Sequence, residues 1–137
     1  MPIELSELMQ LALERRPSLK VGDLPRPIAE IMGCHPAIVF LGAAEFKHIA
    51  QSHPEMRREE FQLIFQIIKT GSYYQHPDYP TSVTVFGDLE HDGKLYMLGL
   101  KSAQGGCEVW VQTMFRIGHR KALRRIRNSV LIHGAGI

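Results

Sequence analysis

The apolar residues in the first half of the chain recur at helical spacing. Phe61, Ile64, Phe65 and Ile68 lie at i, i+3, i+4 and i+7, which places them on one buried face of a helix predicted over residues 54–69. The same pattern predicts three further helices, with one irregular and one extended segment between them. The helices are expected over residues 3–15, 28–32 and 43–51, the irregular proline-containing segment over 17–27, and a short apolar strand over 37–41.

In the second half of the chain the pattern changes to alternating apolar and polar residues, which indicates strands. Residues 72–81 are expected to form the loop that precedes them. Short turns join the predicted strands, so these should form an antiparallel meander. The strands are expected over residues 82–87, 94–101 and 107–116, followed by a helix over 119–128 and a last strand or loop over 129–133.

This predicted order, in which helices come first and an antiparallel sheet follows, is that of an α+β protein. We therefore expect N-terminal helices packed on a C-terminal antiparallel sheet of about four strands. A chain of 137 residues is long enough for one domain with a substantial core. Within this single globular unit, we interpret residues 1–33 as an N-terminal helical embellishment and residues 34–137 as the main domain.

The formal charge of +2 conceals an uneven distribution along the chain. Residues 1–100 contain nine Lys or Arg and thirteen Asp or Glu, whereas residues 101–137 contain seven Lys or Arg and one acid, Glu108. A strongly basic end on a weakly charged chain indicates an anionic partner that binds locally.

Several classes of protein are not expected. No segment reaches the ~20 apolar residues of a membrane span, and the first residues lack the basic and apolar regions of a signal peptide. Cys34 and Cys107 form no CxxC pair, so we expect reduced thiols in a cytoplasmic setting and no thiolate zinc site. No metal-ligand spacing and no cofactor-binding motif is recognised, so neither a metal nor a cofactor is expected.

His48 and His53 are the histidines that most merit attention among the seven of the chain. A five-residue step places two side chains about 140° apart around a regular helix, so the two cannot share one face. Pro54 should end the helix near Ser52, and His53 could then fold back beside His48. The alternative is that His53 caps the helix end and His48 is a surface residue.

The last strand of the meander supplies further candidates. Strict alternation places Val109, Val111, Thr113 and Phe115 on one face, and Trp110, Gln112, Met114 and Arg116 on the other. If Lys101 pairs near residue 107, its side chain and that of Thr113 would be about 20 Å apart. We therefore rank Lys101 below Thr113 and Arg116, and simple β-propensity is the alternative explanation of Thr113.

Six Lys or Arg occupy the twelve positions over residues 116–127. In a helix, Arg120, Arg124 and Arg127 would form one stripe, with Lys121 and Arg125 beside it. Phosphate groups favour such a stripe, because neutralising them releases counterions. The alternative is an exposed amphipathic helix that packs on an acidic neighbour.

The order of these features resembles one known group of domains. It combines the apolar strand over 37–41, the motif His48-Ile-Ala-Gln-Ser-His53-Pro-Glu55, a second helix, and a late strand with Thr113 before the aromatic Phe115. Over about residues 28–120 the chain resembles the phage-associated nuclease domains of the barnase–EndoU–colicin–RelE superfamily. This resemblance implies a metal-independent ribonuclease with helices packed on an antiparallel sheet of about four strands.

The resemblance also implies a mechanism, in which the 2′-hydroxyl of RNA attacks the neighbouring phosphate and a 2′,3′-cyclic phosphate forms in EDTA. A base takes the hydroxyl proton, an acid protonates the 5′-oxygen, and cations stabilise the phosphorane. The residues expected to act in catalysis are His48, His53, Thr113, Lys101 and Arg116. The residues expected to bind substrate are His119, Arg120, Arg124, Arg125 and Arg127. The expected partners are an RNA substrate and an immunity or antitoxin protein, with no membrane.

Two other functions are compatible with the same sequence. The basic C-terminal segment could serve a non-catalytic nucleic-acid-binding module. The chain could also be a phage structural or adaptor protein that has the fold without the activity.

Overall fold

The computed structural model describes residues 2–33, 37–91, 93–103 and 108–137. Within these residues the chain forms five α-helices, one 3₁₀ helix and seven strands. The helices are α1 (Leu5–Ala12), α2 (Arg26–Ile31), α3 (Ala43–Ser52), the 3₁₀ helix (Arg58–Leu63), α4 (Ile64–Thr70) and α5 (His119–Arg125). The strands are β1 (Ser18–Asp23), β2 (Ile38–Gly42), β3 (Ser72–Gln75), β4 (Ser82–His91), β5 (Lys94–Ser102), β6 (Glu108–Gly118) and β7 (Val130–His133). Both cysteines, Cys34 and Cys107, lie outside the described residues.

The seven described strands belong to one mixed sheet in the order β1-β2-β6-β5-β4-β3-β7. The β2 and β6 strands run parallel, and the other neighbours are antiparallel. The protein is α+β, but the predicted arrangement of N-terminal helices on an antiparallel sheet of about four strands is wrong. The sheet is larger and mixed, and helices alternate with strands along the chain.

The β1 and β3 strands arise from segments that the sequence predicts as irregular. Pro17 and Pro25 flank β1 without interrupting it, so they bound the strand and do not break it. The β3 strand contains Tyr73 and Tyr74, residues with high β-propensity, and the prolines of the predicted loop follow it. Proline therefore marks the ends of these strands and does not exclude them.

The main core lies on one face of the sheet, under α1, α3, the 3₁₀ helix and α4. Residues 1–33 contribute directly to this core. Leu8 of α1, Leu19 and Val21 of β1, and Ile28 of α2 are buried in the same cluster as the residues of the central strands.

The α5 helix packs on the opposite face of the sheet. Leu95 and Met97 point to this face, because they alternate along β5 with the core residues Tyr96 and Leu98. With Ala122 of α5 they form a second, smaller cluster.

The helix predicted over residues 54–69 is divided into the 3₁₀ helix and α4. Phe61, Ile64 and Ile68 are buried, as the spacing predicts. The tighter first turn is stabilised by Glu60, whose Oε2 accepts a hydrogen bond of 2.8 Å from the Arg57 amide. This turn carries the Glu60 carboxylate into the protein, beneath the sheet.

The β6 strand contains one extra residue at Gln112. Val111 lies opposite Leu100, but Thr113 already lies opposite Gly99. Such a bulge reverses the alternation of side chains. The predicted faces are therefore wrong beyond Gln112: Val109, Val111, Met114 and Arg116 point to the main core, and Trp110, Thr113, Phe115 and Ile117 point to the other face.

The register of the β5–β6 hairpin also differs from the predicted one. The connection is longer than expected, because the pair that closes it is Ser102 with Val109. As a result, Lys101 lies opposite Trp110 and only two residues from Gly99, the partner of Thr113. The backbones of Lys101 and Thr113 are therefore within about 10 Å of each other, and the predicted separation of about 20 Å is wrong.

Candidate functional site

The end of β6 and the start of α5 border a cavity of about 600 Å³. The residues that line it include His53 and five Lys or Arg residues, and none of the described Asp or Glu residues lines it. The cations are Lys94, Arg116, Lys121, Arg124 and Arg125. Such a concentration of positive charge in a concave surface attracts an anionic ligand.

The local fold explains why these cations meet. Gly118 ends β6 in an extended conformation and leads directly into α5. The α5 helix packs on the sheet through Ala122. This orientation places Lys121, Arg124 and Arg125 along the rim of the cavity. Lys94, the first residue of β5, lies directly opposite Gly118 and completes this cluster.

His53 reaches the cavity from the end of α3. The helix ends at Ser52, as the following Pro54 predicts. The His53 ring stacks on the Phe115 ring with their centroids 4.7 Å apart, and its Nδ1 lies 3.5 Å from Glu55 Oε1. The Arg125 guanidinium carbon lies 5.2 Å from the centroid of the same Phe115 ring. Phe115 thus supports both an imidazole and a guanidinium.

Arg116 is held by a buried carboxylate. Glu60 is 5% exposed, and its Oε1 accepts hydrogen bonds from Arg116 Nε and from the Tyr96 hydroxyl, each at 2.9 Å, and from Arg116 Nη2. The guanidinium is therefore fixed in orientation, and Arg116 is also one of the residues that border the cavity.

The ionisation of this cluster follows from its contacts. Burial raises the pKa of Glu60, but the hydrogen bonds from Arg116, the Arg57 amide and Tyr96 outweigh burial and lower the pKa below its usual value. The hydrogen bond to Glu60 raises the pKa of Arg116. Burial and the same carboxylate raise the pKa of Tyr96. At neutral pH Glu60 is therefore a carboxylate that accepts hydrogen bonds from one cationic side chain, Arg116, and one neutral side chain, Tyr96.

The structure brings four of the ten predicted site residues into this cavity: His53, Arg116, Arg124 and Arg125. His48 is on the exposed side of α3, because a two-residue step from the buried Phe46 turns it about 160° around the helix. His53 packs on Phe115 and does not fold back to share a cavity with His48.

Thr113 and Lys101 lie on the same face of the sheet as Phe115 but outside the cavity. Thr113 is two residues before Phe115, about 7 Å along the strand. Lys101 lines a second cavity of about 740 Å³.

His119, Arg120 and Arg127 are exposed and do not line the cavity. The predicted stripe is wrong at Arg127, because α5 ends at Arg125 and not near residue 128. The alternative of an acidic neighbour is not seen, since no carboxylate of the described residues lies within ion-pair distance of the α5 cations.

Sequence reasoning missed three contributors to the site. Lys94 opens a predicted strand, and nothing in its local pattern distinguishes it. Phe115 is visible only as part of the Thr-Met-Phe motif, and its role as a support depends on the bulge. Glu60 accepts a hydrogen bond from the N-cap amide as in a capping box, but Arg57 stands where that motif has Ser or Thr, so the sequence does not mark it.

No three His, Cys, Asp or Glu side chains of the described residues are grouped so that they could hold a metal ion. No described helix has both the length and the apolar character needed to span a bilayer.

No protein-family model, curated protein or solved structure matches the chain. The resemblance to the barnase–EndoU–colicin–RelE superfamily therefore rests on the motifs at residues 48–55 and 113–115. The functional argument rests on the geometry of the cavity.

Proposed function

We propose that the chain is an endoribonuclease that cleaves RNA without a metal ion, in the cavity between His53 and α5. The observation that carries the proposal is that one histidine and five Lys or Arg residues border the same cavity. Cations suit a phosphate diester, and an imidazole suits proton transfer near neutral pH. Among the described residues the lining lacks the carboxylate oxygens that Mg²⁺ prefers, so we assign the role of nucleophile to the 2′-hydroxyl of the substrate.

His53 is the general base of the proposed reaction. The Glu55 carboxylate near Nδ1 favours the tautomer that carries its proton on Nδ1, so Nε2 can accept the proton of the 2′-hydroxyl. The 2′-oxygen forms a bond to phosphorus, and the bond from phosphorus to the 5′-oxygen breaks. The 5′-oxygen takes up a proton, for which the lining offers the ammonium groups of Lys94 and Lys121. The product is a 2′,3′-cyclic phosphate.

Arg116 stabilises the negative charge that develops on the phosphoryl oxygens. Its Nε and Nη2 are occupied by Glu60, and Nη1 has no partner among the described residues. A guanidinium already fixed on one edge needs little reorganisation to bind a phosphate with the other.

A DNA strand with one embedded ribonucleotide tests the chemistry. In EDTA we expect a single cut on the 3′ side of the ribose and a 2′,3′-cyclic phosphate end, because only that sugar carries the nucleophile. The matched all-deoxy strand should stay intact. Cleavage of the all-deoxy strand, or cleavage that appears only after Mg²⁺ is added, would contradict the mechanism.

A non-catalytic RNA-binding module is the second candidate, and the position of His48 favours it. The resemblance supplies two histidines for two proton transfers, but only His53 lines the cavity. This function predicts salt-dependent RNA binding without a cut. A phage structural or adaptor role predicts no nucleic-acid affinity at physiological salt.

Two further expectations follow from the nuclease proposal. Because its substrate is RNA, we expect the protein to act in the cytosol. An immunity or antitoxin protein would inhibit most directly by covering the basic cavity with an acidic surface.

A further inference from the structure

The proposed function leaves a second cavity on the sheet unused. This cavity has a volume of about 740 Å³ and is lined by residues that include Glu45, Thr81, Lys101, Trp110 and Gln112. It lies on the same face as Phe115, because the bulge at Gln112 brings Trp110 and Phe115 to one side of β6.

The lining of this cavity includes the aromatic residue Trp110. Trp110 and Phe40 are cross-strand partners on β6 and β2, and their ring centroids lie 5.3 Å apart with the planes at 32°. Both side chains are half-buried, in contrast to the fully buried Val109 and Val111 beside them. A partly exposed indole in a concave surface, supported from behind by a second ring, offers a face on which a planar ligand can stack.

The polar groups around the rings suit a nucleotide. Lys101 lies directly opposite Trp110 on β5 and is exposed, so its ammonium can reach a phosphate attached to a base stacked on Trp110. Gln112 and Thr81 supply an amide and a hydroxyl for the edge of a base. Glu45 is the one carboxylate among the described lining residues; it repels phosphate but can accept hydrogen bonds from the amino group of a base.

The two cavities follow each other along β6. Trp110 and Gln112 line the second cavity, Phe115 lines the first, and Thr113 lies between them on the same face. At the rise of a β-strand, Trp110 and Phe115 are about 15 Å apart. An extended nucleic-acid strand with one phosphate in the basic cavity can therefore continue along β6 and place a nearby base on Trp110.

We propose that Trp110, supported by Phe40, forms a stacking subsite for an unpaired base of single-stranded RNA, and that Lys101 binds the phosphate beside it. The inference rests on the proposed function, since the basic cavity determines where the strand is cut. A base within a duplex is stacked on its neighbours and cannot lie on these rings, so the substrate class is single-stranded RNA.

Trp110 is the one tryptophan of the chain, so its fluorescence reports on the subsite directly. The probes are a single-stranded 2′-O-methyl RNA octamer, which cannot be cut, its duplex with a complementary strand, and inorganic tripolyphosphate. We expect saturable quenching by the single strand, much weaker quenching by the duplex and none by tripolyphosphate. Equal quenching by tripolyphosphate, or no quenching while anisotropy of a labelled octamer shows that it is bound, would overturn the subsite.

Substitutions test the two parts of the subsite separately. Trp110→Ala should weaken octamer binding between about 5-fold and about 150-fold, the range for loss of one stacked base, and Trp110→Phe should retain most of the affinity. Lys101→Ala should reduce the slope of log affinity against log salt by about 0.7, as for loss of one phosphate contact. The matched control is Lys69→Ala, an exposed lysine on α4, which packs on the opposite face.

The outcomes separate this inference from the nuclease proposal. Quenching by the single strand without any cleavage of RNA supports the subsite and contradicts the nuclease. Cleavage of RNA with unchanged Trp110 fluorescence on binding retains the nuclease and overturns the subsite. Octamer affinity in Trp110→Phe as low as in Trp110→Ala, with both variants folded, also overturns it.

Discussion

At the scale of single residues, the Glu60 carboxylate lies outside the cavity but determines where Arg116 points. It binds two nitrogens of the guanidinium and the Tyr96 hydroxyl from the core side of β6. A buried carboxylate that loses its charge would leave both partners without a strong acceptor. Glu60 is therefore a positioning residue in the proposed reaction, and Arg116 is the group that meets the substrate.

Glu60→Gln should affect both stability and cleavage. We expect the free energy of unfolding to fall by about 1–3 kcal/mol, because charged hydrogen bonds are replaced by weaker neutral ones. The cleavage rate constant should fall more than RNA affinity, because four of the five cavity cations are untouched. Glu59→Gln, an exposed neighbour on the same turn, is the matched control for denaturant titration and single-turnover kinetics. An equal loss of stability in both variants would contradict this role.

The pH dependence of stability provides an independent check on Glu60. Its pKa is lower in the folded chain than the ordinary value of 4.5, so its contribution to stability is complete above about pH 4.5 and is lost as the pH falls through the folded pKa. The difference in unfolding free energy between the natural protein and Glu60→Gln should therefore shrink below about pH 4.5. Urea denaturation at a series of acidic pH values measures it, and a constant difference would refute the assignment.

At the scale of elements, α5 presents its cations unequally. Arg124 and Arg125 line the cavity, whereas Arg120 on the same helix does not. The sequence alone treats these arginines as equivalent members of one basic run. Their separation follows from the burial of Ala122, which fixes the rotation of α5 against the sheet.

The double variant Arg124→Ala/Arg125→Ala should weaken binding of single-stranded RNA and reduce its dependence on salt. Loss of each phosphate contact lowers the slope of log affinity against log salt by about 0.7. Arg120→Ala removes one positive charge from the same helix and should leave the slope nearly unchanged. Fluorescence anisotropy over a range of salt concentrations measures both, and a slope in Arg120→Ala that falls by as much as in the double variant would contradict the placement of the site.

Helices and strands with a clear apolar pattern could be predicted from the sequence, but the strand between prolines and the bulge could not. The α3 helix and the central strands lie close to their predicted positions, because apolar periodicity and Pro54 determine them. The β1 strand was not predicted, because its flanking prolines indicate an irregular segment. The bulge at Gln112 adds a single residue with no compositional signal, yet it decides which side chains share a face with Phe115. Single-residue irregularities are therefore where the predicted site and the observed one diverge.

At the scale of the whole molecule, the N-terminal segment is continuous with the core. From the sequence, residues 1–33 are interpreted as an N-terminal helical embellishment within one globular unit. In the structure, β1 is an edge strand of the sheet and Leu8 packs in the main core with 0% exposure. We therefore expect this segment to unfold together with the rest of the chain.

Leu8→Ala tests this expectation. It should lower the free energy of unfolding by about 3 kcal/mol, the usual cost of a buried Leu-to-Ala change. Leu13→Ala, at a position 56% exposed, should change it by less than about 0.5 kcal/mol. Urea unfolding followed by Trp110 fluorescence reports on the central sheet. An unchanged Trp110 transition in Leu8→Ala would show that residues 1–33 form a separable unit.

The fold brings the acidic first part of the chain and its basic C-terminal part together at one cavity. The basic C-terminal residues do not act alone, because His53 from the acidic first part of the chain closes their cavity. The tertiary contact between α3 and β6 joins the two parts, and it could not be read from charge along the sequence. We propose this junction as the site of RNA cleavage.

The most direct test compares His53→Ala and His48→Ala on the strand with one ribonucleotide, in EDTA. We predict that His53→Ala lowers the cleavage rate by a factor of about 100 or more, as for loss of a general base, while it binds the strand normally. His48→Ala, an equal change on the exposed side of the same helix, should cleave at nearly the natural rate. Full activity in His53→Ala, or an equal loss in both variants, would contradict the account.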